Sequence, residues 1–359
     1  MSVAKLLIAD SETNADLLWA TDFFVPDPII YFEWRGKKFL VASDLEYSRA
    51  KKEAAVDKVL SLSAIGSLDR VFKKFRIKNL LVPLYMGVGT VNQLKKKGYK
   101  ITIKEGPFFE GRAIKTQEEK RKITASLRAT EQAIEKARDF LRSCRIRKNR
   151  IVHDGTIVTS ELLRKIIDTN LFENGFIPKQ TIVASGRQAA DPHCTGTGPL
   201  KPNEPIVMDV FPRSQKTGYY GDITRTVIKG KASPAVKAMY DAVKASQEAA
   251  FPLIRHGVEA AKVHQAVCDV LDKRGFPTKT VNGQPQGYIH STGHGLGLEI
   301  HEPPRISRLS EKLKKGNVVT VEPGLYYPDR GGIRIEDVVF VTRNGCEKLT
   351  HLHRELEIP

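Results

Sequence analysis

The strongest constraint in this sequence comes from acidic residues placed at the ends or in the middle of apolar stretches. Asp209 and Glu322 each follow a short apolar run, and Glu336 lies inside the run 333–340. A carboxylate in such a half-buried setting is unfavourable unless a cation meets it. The chain is therefore expected to fold so that these carboxylates share a positively charged partner.

Two more residues, Asp222 and His294, complete a set of metal-binding types within the last 151 positions, 209–359. Four carboxylates and one imidazole suit a pair of hard or borderline divalent cations. Isolated surface charges at strand ends would explain any one of these residues but explain the whole ordered set poorly. The pattern favours a dinuclear metal hydrolase.

The spacing of the two aspartates supports a shared site. Asp209 and Asp222 are separated by twelve residues, and the polar segment 213–218 lies between them. In a hairpin that closes evenly, opposite residues share one face, so both side chains can point at one ion.

The remaining donors are expected on neighbouring elements. We expect Glu322 and Glu336 on two further strands that flank the turn 328–332. His294 lies in the glycine-rich segment 293–297, where the missing side chains are expected to let the imidazole approach an ion closely.

The chemically active residues are concentrated in the carboxyl-terminal part, since all nine histidines follow residue 152. The earlier part alternates predicted strands and helices. A long amphipathic helix is predicted from Thr116 to Leu141, with Glu119 completing a capping box at its start. Three more helices are predicted over 160–172, 234–254 and 259–274. We expect two domains, 1–111 and 112–359.

Five segments carry a resemblance to a known family. They are 208–210, 221–226, 288–302, 321–324 and 333–337. Together they resemble the pita-bread metallopeptidases, which include aminopeptidase P, prolidase and methionine aminopeptidase. The resemblance implies an α/β (α+β) chain in which a creatinase/prolidase-like domain with a central mixed sheet precedes a catalytic domain with a curved antiparallel sheet covered by helices.

The resemblance also implies a role for each metal-binding residue. Asp209 would bind one ion, His294 and Glu322 the other, and Asp222 and Glu336 would bridge the two. Glu322 would in addition carry a proton from the attacking water to the leaving nitrogen. The expected cofactor is two divalent metal ions per chain, with manganese first and cobalt, zinc or iron as alternatives.

Five other residues match substrate-facing or supporting positions of the family. His193 and His301 would hydrogen-bond the scissile carbonyl and stabilise the tetrahedral oxyanion. His290 would help to shape the same pocket. Arg334 would support the metal-binding residues, with Tyr326 as its partner.

The resemblance favours hydrolysis of the bond between an amino-terminal residue and proline. Family members with this specificity carry a leading domain, here about 110 residues long. A minimal methionine aminopeptidase needs only the catalytic domain. We expect an Xaa-Pro aminopeptidase first and an Xaa-Pro dipeptidase as the alternative, for which Arg305 or Arg308 could hold the terminal carboxylate. Methionine aminopeptidase, a non-catalytic scaffold and a metal-free creatinase-like enzyme are more distant alternatives.

Composition bounds the partners. The formal charge is +17, but its lysines and arginines are dispersed and form no recognised nucleic-acid motif, so no nucleic acid is expected. Because the segment 142–150 is densely basic, binding of an acidic partner is kept as an alternative. No apolar run approaches the roughly 20 residues of a membrane helix, and four scattered cysteines suit a cytoplasmic location. A peptide substrate and a homodimer are expected.

Overall fold

The computed structural model describes residues 2–309 and 311–359, and the chain divides into two compact units after Arg112. Each unit has its own sheet and its own apolar core. Among the described residues, no helix is both long and apolar enough to cross a bilayer.

The first unit is built on one six-stranded sheet. Its strands are β1 (Ala4–Ala9), β2 (Ile29–Trp34), β3 (Lys37–Ala42), β4 (Lys58–Ser61), β5 (Asn79–Pro83) and β6 (Lys100–Lys104). The order is β4-β3-β2-β1-β5-β6, with antiparallel pairing of β1, β2 and β3 and parallel pairing elsewhere. This is the mixed sheet that the sequence predicted.

Helices cover both faces of that sheet. They are α1 (Ala15–Thr21), α2 (Asp44–Glu53), α3 (Leu62–Ile65), α4 (Leu68–Lys74) and α5 (Val88–Lys96). Alternate strand residues divide between two cores, so that Leu6 and Phe32 pack in one core and Leu7 and Tyr31 in the other. The period-two alternation of a strand with both faces covered explains this division.

The helices described in the second unit (residues 113–309 and 311–359) are long enough to cover its sheets. They are α6 (Gln117–Ser143), α7 (Ser160–Glu173), α8 (Pro234–Ala250) and α9 (Ala260–Lys273), and short 3-10 turns occupy Gly186–Ala190 and Phe251–Leu253. The capping box of Thr116 and Glu119 is present at the start of α6, as predicted. The predicted apolar stripe of α6 is buried, including Ile123 and Leu127.

The second unit contains short strands arranged in several small sheets. They are β7 (Arg145–Arg147), β8 (Arg150–His153), β9 (Thr156–Ile157), β10 (Phe176–Ile177), β11 (Ile182–Ser185), β12 (Ile206–Val210), β13 (Arg213–Ser214), β14 (Ile223–Lys229), β15 (Lys279–Val281), β16 (Gln284–Gln286), β17 (Gly293–Gly295), β18 (Glu302–Ile306), β19 (Val318–Val321), β20 (Gly324–Tyr327), β21 (Gly331–Arg334), β22 (Asp337–Val341), β23 (Cys346–Lys348) and β24 (Glu357–Ile358). The two largest sheets are β11-β12-β14-β24 and β18-β17-β19-β22-β23.

The expectation that Glu322 and Glu336 lie within strands is wrong. Glu322 lies in the two-residue linker between β19 and β20, and Glu336 in the two-residue linker between β21 and β22. Each linker interrupts regular pairing at a carboxylate that turns toward the site. The sequence did not predict this interruption, because apolar residues continue on both sides of each linker.

A buried glutamine of α8 spans the interrupted ladder. The side-chain amide of Gln247 donates to the carbonyl oxygen of Val321 at 2.9 Å and to that of Ile335 at 3.1 Å. These carbonyls belong to the residues immediately before Glu322 and Glu336. Arg354 donates to the amide oxygen of Gln247 at 2.9 Å, which fixes the amide orientation. Gln247 therefore holds both linkers in place.

Replacement of Gln247 should destabilise the second unit. Gln247→Met keeps the side-chain length but leaves the carbonyls of Val321 and Ile335 without these donors, so we expect a loss of about 2–4 kcal/mol in the free energy of unfolding. Urea unfolding followed by circular dichroism measures it. Gln265→Met, at an exposed position of α9 where the side chain donates to Asp269 of the same helix, is the matched control and should change stability by less than about 0.5 kcal/mol. Equal stability of the two variants would contradict the role of Gln247.

Candidate metal centre

The two aspartates lie on one face of a single hairpin. Asp209 is in β12 and pairs with Thr224 of β14, while Asp222 immediately precedes β14. Because Asp222 is two residues from Thr224, its side chain points to the same face as that of Asp209. The pairing continues outward in the same register to Arg213 and Tyr220, so the polar turn does not alter this facing.

The two glutamates face each other across the interrupted ladder. Val321 pairs with Asp337 on one side of the linkers and Gly324 pairs with Arg334 on the other, in one common register. Glu322 and Glu336 are consequently opposite residues.

Threonine hydroxyls orient both glutamates. Thr224 donates to Glu336 at 2.8 Å and Thr320 donates to Glu322 at 3.4 Å. These contacts point the carboxylates of two different elements into one space.

His294 comes from β17, where the glycines serve close packing between strands. A Cβ added at Gly293 would lie 1.9 Å from the carbonyl oxygen of Thr320, and one added at Gly295 would lie 2.5 Å from that of Glu302. Real Cβ atoms do not approach backbone so closely. These glycines were expected to let the imidazole approach an ion, whereas in the structure they let neighbouring strands come near the imidazole.

The imidazole of His294 presents a free nitrogen to the carboxylates. Its Nδ1 lies 3.1 Å from the carbonyl oxygen of Gly295, and because a carbonyl only accepts, Nδ1 carries the proton. The other nitrogen, Nε2, lies 3.6 Å from Asp222 and 3.4 Å from Glu322. A histidine held in this tautomer is a typical metal ligand.

The structure brings the predicted ligands together in one cleft. Ligand atoms of Asp222, His294 and Glu336 all lie within 4.8 Å of one another. Glu322 joins them through His294, and Asp209 lines the same cleft, which has a volume of about 820 Å³. Two ligands bound about 2.0–2.2 Å from one ion lie at most about 4.4 Å apart, and the distances of 3.6 and 3.4 Å from Nε2 of His294 to Asp222 and Glu322 fit a metal.

Burial and mutual repulsion govern the protonation of this cluster. Burial, followed by the charge of Glu336, raises the pKa of Asp222 and of Glu322 well above the ordinary carboxyl value. Burial and the charge of Asp209 raise the pKa of Glu336 to about 8. Burial lowers the pKa of His294 to about 3, which keeps the imidazole neutral. Without a cation the carboxylates retain protons, and a divalent ion would replace those protons.

Arg334 connects the cluster to a buried hydrogen-bonded chain. Its guanidinium donates to Asp209 at 2.6 Å and to the hydroxyl of Tyr326 at 2.9 Å. That hydroxyl lies 2.9 Å from Nε2 of His290, whose Nδ1 lies 2.8 Å from the carbonyl oxygen of Ser291. His290 is therefore a neutral acceptor at Nε2, and burial lowers its pKa to about 3.

The remaining predicted residues lie at the opening of the cleft. His193 and His301 are exposed and line it, and the ring of His301 meets that of His294 edge to face at 4.4 Å. Nine of the ten predicted site residues line the cleft, while Tyr326 lies behind it against Arg334 and His290.

Several supporting residues were missed by the sequence analysis. The hydroxyls of Thr224 and Thr320 orient the glutamates, the backbone carbonyl oxygen of Thr292 accepts from the backbone N–H of Glu322 at 2.8 Å, and Gln247 fixes both linkers. Threonine and glutamine are common in any sequence, so only the fold distinguishes them. Thr224 could have been predicted from the local sequence, because it follows Asp222 by two residues and therefore lies on the same strand face.

The fold and the donor set define a metallopeptidase of pita-bread architecture, and comparison with known proteins places it more closely. Residues 121–343 match the metallopeptidase family M24, and the chain belongs to this family, in its prolidase and aminopeptidase P branch. Divalent metal use follows from the family.

One sequence relative and two solved structures align with most or all of this chain. An Xaa-Pro dipeptidase from Pyrococcus horikoshii is 30% identical over 327 residues, which is 88% of this chain and 85% of the relative. The crystal structure of the prolidase from Pyrococcus horikoshii OT3 superimposes with a TM-score of 0.82 and 26% identity, covering 99% of this chain and 95% of that one. The crystal structure of an X-Pro aminopeptidase from Thermotoga maritima superimposes with a TM-score of 0.85 and 24% identity, covering 100% of this chain and 98% of that one. At this identity the similarity shows a shared fold. The predicted fold class is confirmed.

The metal-free protein should lose stability as the pH rises above neutrality. The folded state retains protons on Asp222, Glu322 and Glu336 that the unfolded chain has already released, so the free energy of unfolding falls with pH. Between about pH 7.5 and 8.5, where unfolded histidines with their ordinary pKa near 6.5 are mostly neutral, we expect a fall of about 1 kcal/mol per pH unit for each retained proton.

Thermal unfolding in the presence of a chelator measures this dependence. Glu336→Gln should reduce the slope, because its amide does not titrate. Added Mn²⁺ should raise the melting temperature, and more so at higher pH, since binding displaces protons. A melting temperature that rises with pH in the chelated protein would contradict the assignment.

Proposed function

We propose that this protein is an Xaa-Pro dipeptidase that uses two divalent metal ions. The observation that carries the reaction is the convergence of Asp222, His294, Glu322 and Glu336 in one buried cluster. The substrate is supported by the Xaa-Pro dipeptidase relative that aligns with most of the chain. The sequence analysis ranked an Xaa-Pro aminopeptidase first, and this relative favours the alternative.

The charge of the cleft supports a pair of ions. In the metal-binding cluster four carboxylates face one buried guanidinium, that of Arg334, whereas Arg305 is exposed at the opening, so the ionised cluster holds three net negative charges. One divalent ion would leave negative charge uncompensated in a buried site. Manganese stays the metal expected first, and the homodimer stays a prediction.

When bound, the metal pair lowers the pKa of a water and polarises the scissile carbonyl. Glu322 would accept the proton of that water and return it to the proline nitrogen, a role supported by its carboxylate, which lines the cleft 3.4 Å from Nε2 of His294. His193 and His301 are placed at the opening, where they can donate to the carbonyl oxygen as negative charge develops on it.

A dipeptidase also needs a cation for the terminal carboxylate of its substrate. Arg305 lines the metal cleft, whereas Arg308 lines a neighbouring cavity of about 480 Å³ beside His264 and Cys268. The position of Arg305 on β18, four residues after His301, brings its charge to the same opening. We therefore assign the carboxylate contact to Arg305.

Replacement of Arg305 should distinguish the two exopeptidase activities. Arg305→Met should lower kcat/KM for an Xaa-Pro dipeptide by about 10–100-fold, the loss expected for one charged hydrogen bond, through a higher KM. Cleavage of an Xaa-Pro pentapeptide, whose carboxylate lies farther away, should change little. Arg308→Met is the matched control.

The parent enzyme decides the substrate class in the same assay. Dipeptide cleavage that exceeds pentapeptide cleavage supports the proposal. Preferential cleavage of the pentapeptide would instead assign an Xaa-Pro aminopeptidase, and cleavage of Met-Ala-Ser alone would assign a methionine aminopeptidase.

Replacement of Glu322 should abolish turnover. Glu322→Gln keeps the shape of the side chain but cannot accept the proton, so kcat should fall by at least about 10²–10⁴-fold. Metal content measured by atomic emission separates a lost base from a lost ligand. Near-normal kcat in a metal-loaded Glu322→Gln protein would show that another residue is the base.

A further inference from the structure

A buried ion pair outside the metal-binding set lies close to the substrate-facing histidine. Lys115 contacts Glu302, and their side chains are only 1% and 4% exposed. Removing both charges from water is costly, so a buried pair adds little net stability, but it can fix the relative position of the segments that carry it.

Glu302 is the residue next to His301. It begins β18, and His301 occupies the bend immediately before that strand. Because the two residues are adjacent in the chain, holding the carboxylate of Glu302 in place restricts the backbone at His301, whose ring lines the cleft and meets the ring of His294 at 4.4 Å.

Glu302 also packs against the segment that carries His294. It pairs across the strands with Gly295, and a Cβ added at Gly297 would lie 2.5 Å from its Oε1. A carboxylate that moved here would displace both histidines relative to each other.

Lys115 is anchored independently of Glu302. Its backbone N–H donates to the carbonyl oxygen of Gly316 at 2.7 Å, and Asn317 donates to the carbonyl of Ala113 at 2.7 Å. Gly316 and Asn317 lead directly into β19, which ends at Val321 immediately before Glu322. The backbone of Lys115 is thus fixed to the strand that precedes Glu322, while its ammonium holds β18, the strand that follows His301.

We propose that Lys115 and Glu302 form a positioning pair that aligns His301 with the metal cluster during peptide hydrolysis. This inference rests on the proposed function, because His301 acts there on the scissile carbonyl. It adds two residues that do not touch the substrate themselves.

Kinetics of single variants test the pair. Lys115→Met and Glu302→Gln should lower kcat on Xaa-Pro dipeptide by about 10–100-fold, as expected for a displaced catalytic group, with little change in KM. Lys120→Met is the matched control, since it removes the Lys120–Glu347 pair on the same segment without a role in the cleft. It should keep the parental kcat.

A double-mutant cycle identifies the residue through which the pair acts. In a His301→Ala background, the added Lys115→Met change should lower kcat by less than about twofold, because the group that it positions is already absent. A full multiplicative loss would overturn the inference. The double variant Lys115→Met with Glu302→Gln carries no unpaired buried charge and serves where a single variant does not fold.

A spectroscopic measurement provides a readout that does not depend on turnover. In the metal-free protein with ¹⁵N-labelled histidine, the His301 ring signal should shift or broaden in Lys115→Met and stay unchanged in Lys120→Met. An unchanged signal in both variants overturns the positioning pair. A parent protein that cleaves no Xaa-Pro peptide would instead overturn the proposed function, and the histidine spectrum would still decide whether the pair orients His301.

Discussion

The repulsion among four carboxylates, of which two are buried and two half-buried, governs the second unit. Asp209, Asp222, Glu322 and Glu336 come from different elements, and burial raises the pKa of the last three. Such an arrangement is stable only with protons or cations between the carboxylates. Three kinds of group contact these carboxylates: the threonine hydroxyls, the guanidinium of Arg334 and the neutral imidazole of His294. Because the carboxylates need protons or cations, the folding of the unit is linked to metal binding.

Local patterns predicted the elements that depend on local physics. The helix α6 begins at the predicted capping box and buries the predicted stripe, because both features are set by residues three or four positions apart. The even spacing of Asp209 and Asp222 likewise predicted a shared face, since a regular hairpin preserves it. The metal-binding carboxylates could be predicted from the sequence, because carboxylates in apolar runs are rarely without a partner.

Features that depend on distant contacts could not be predicted in this way. The interruption of pairing at Glu322 and Glu336 lies inside continuous apolar runs, and the packing role of Gly293 depends on Thr320, far away in sequence. Gln247 is one polar residue on an amphipathic helix, and only its contacts reveal what it supports. The choice between dipeptides and longer peptides has no local signal in the sequence, since in the proposed function it depends on Arg305, which the fold brings to the cleft.

The two linkers that carry the glutamates have equal lengths of two residues, and the ladders on either side of them share one register. A single insertion or deletion in one linker would rotate a glutamate to the opposite face and shift every pair beyond it. The hairpin tip at 328–330 has no such restriction. Evolutionary length variation in this region should therefore accumulate at the tip, while the linkers change only by substitution.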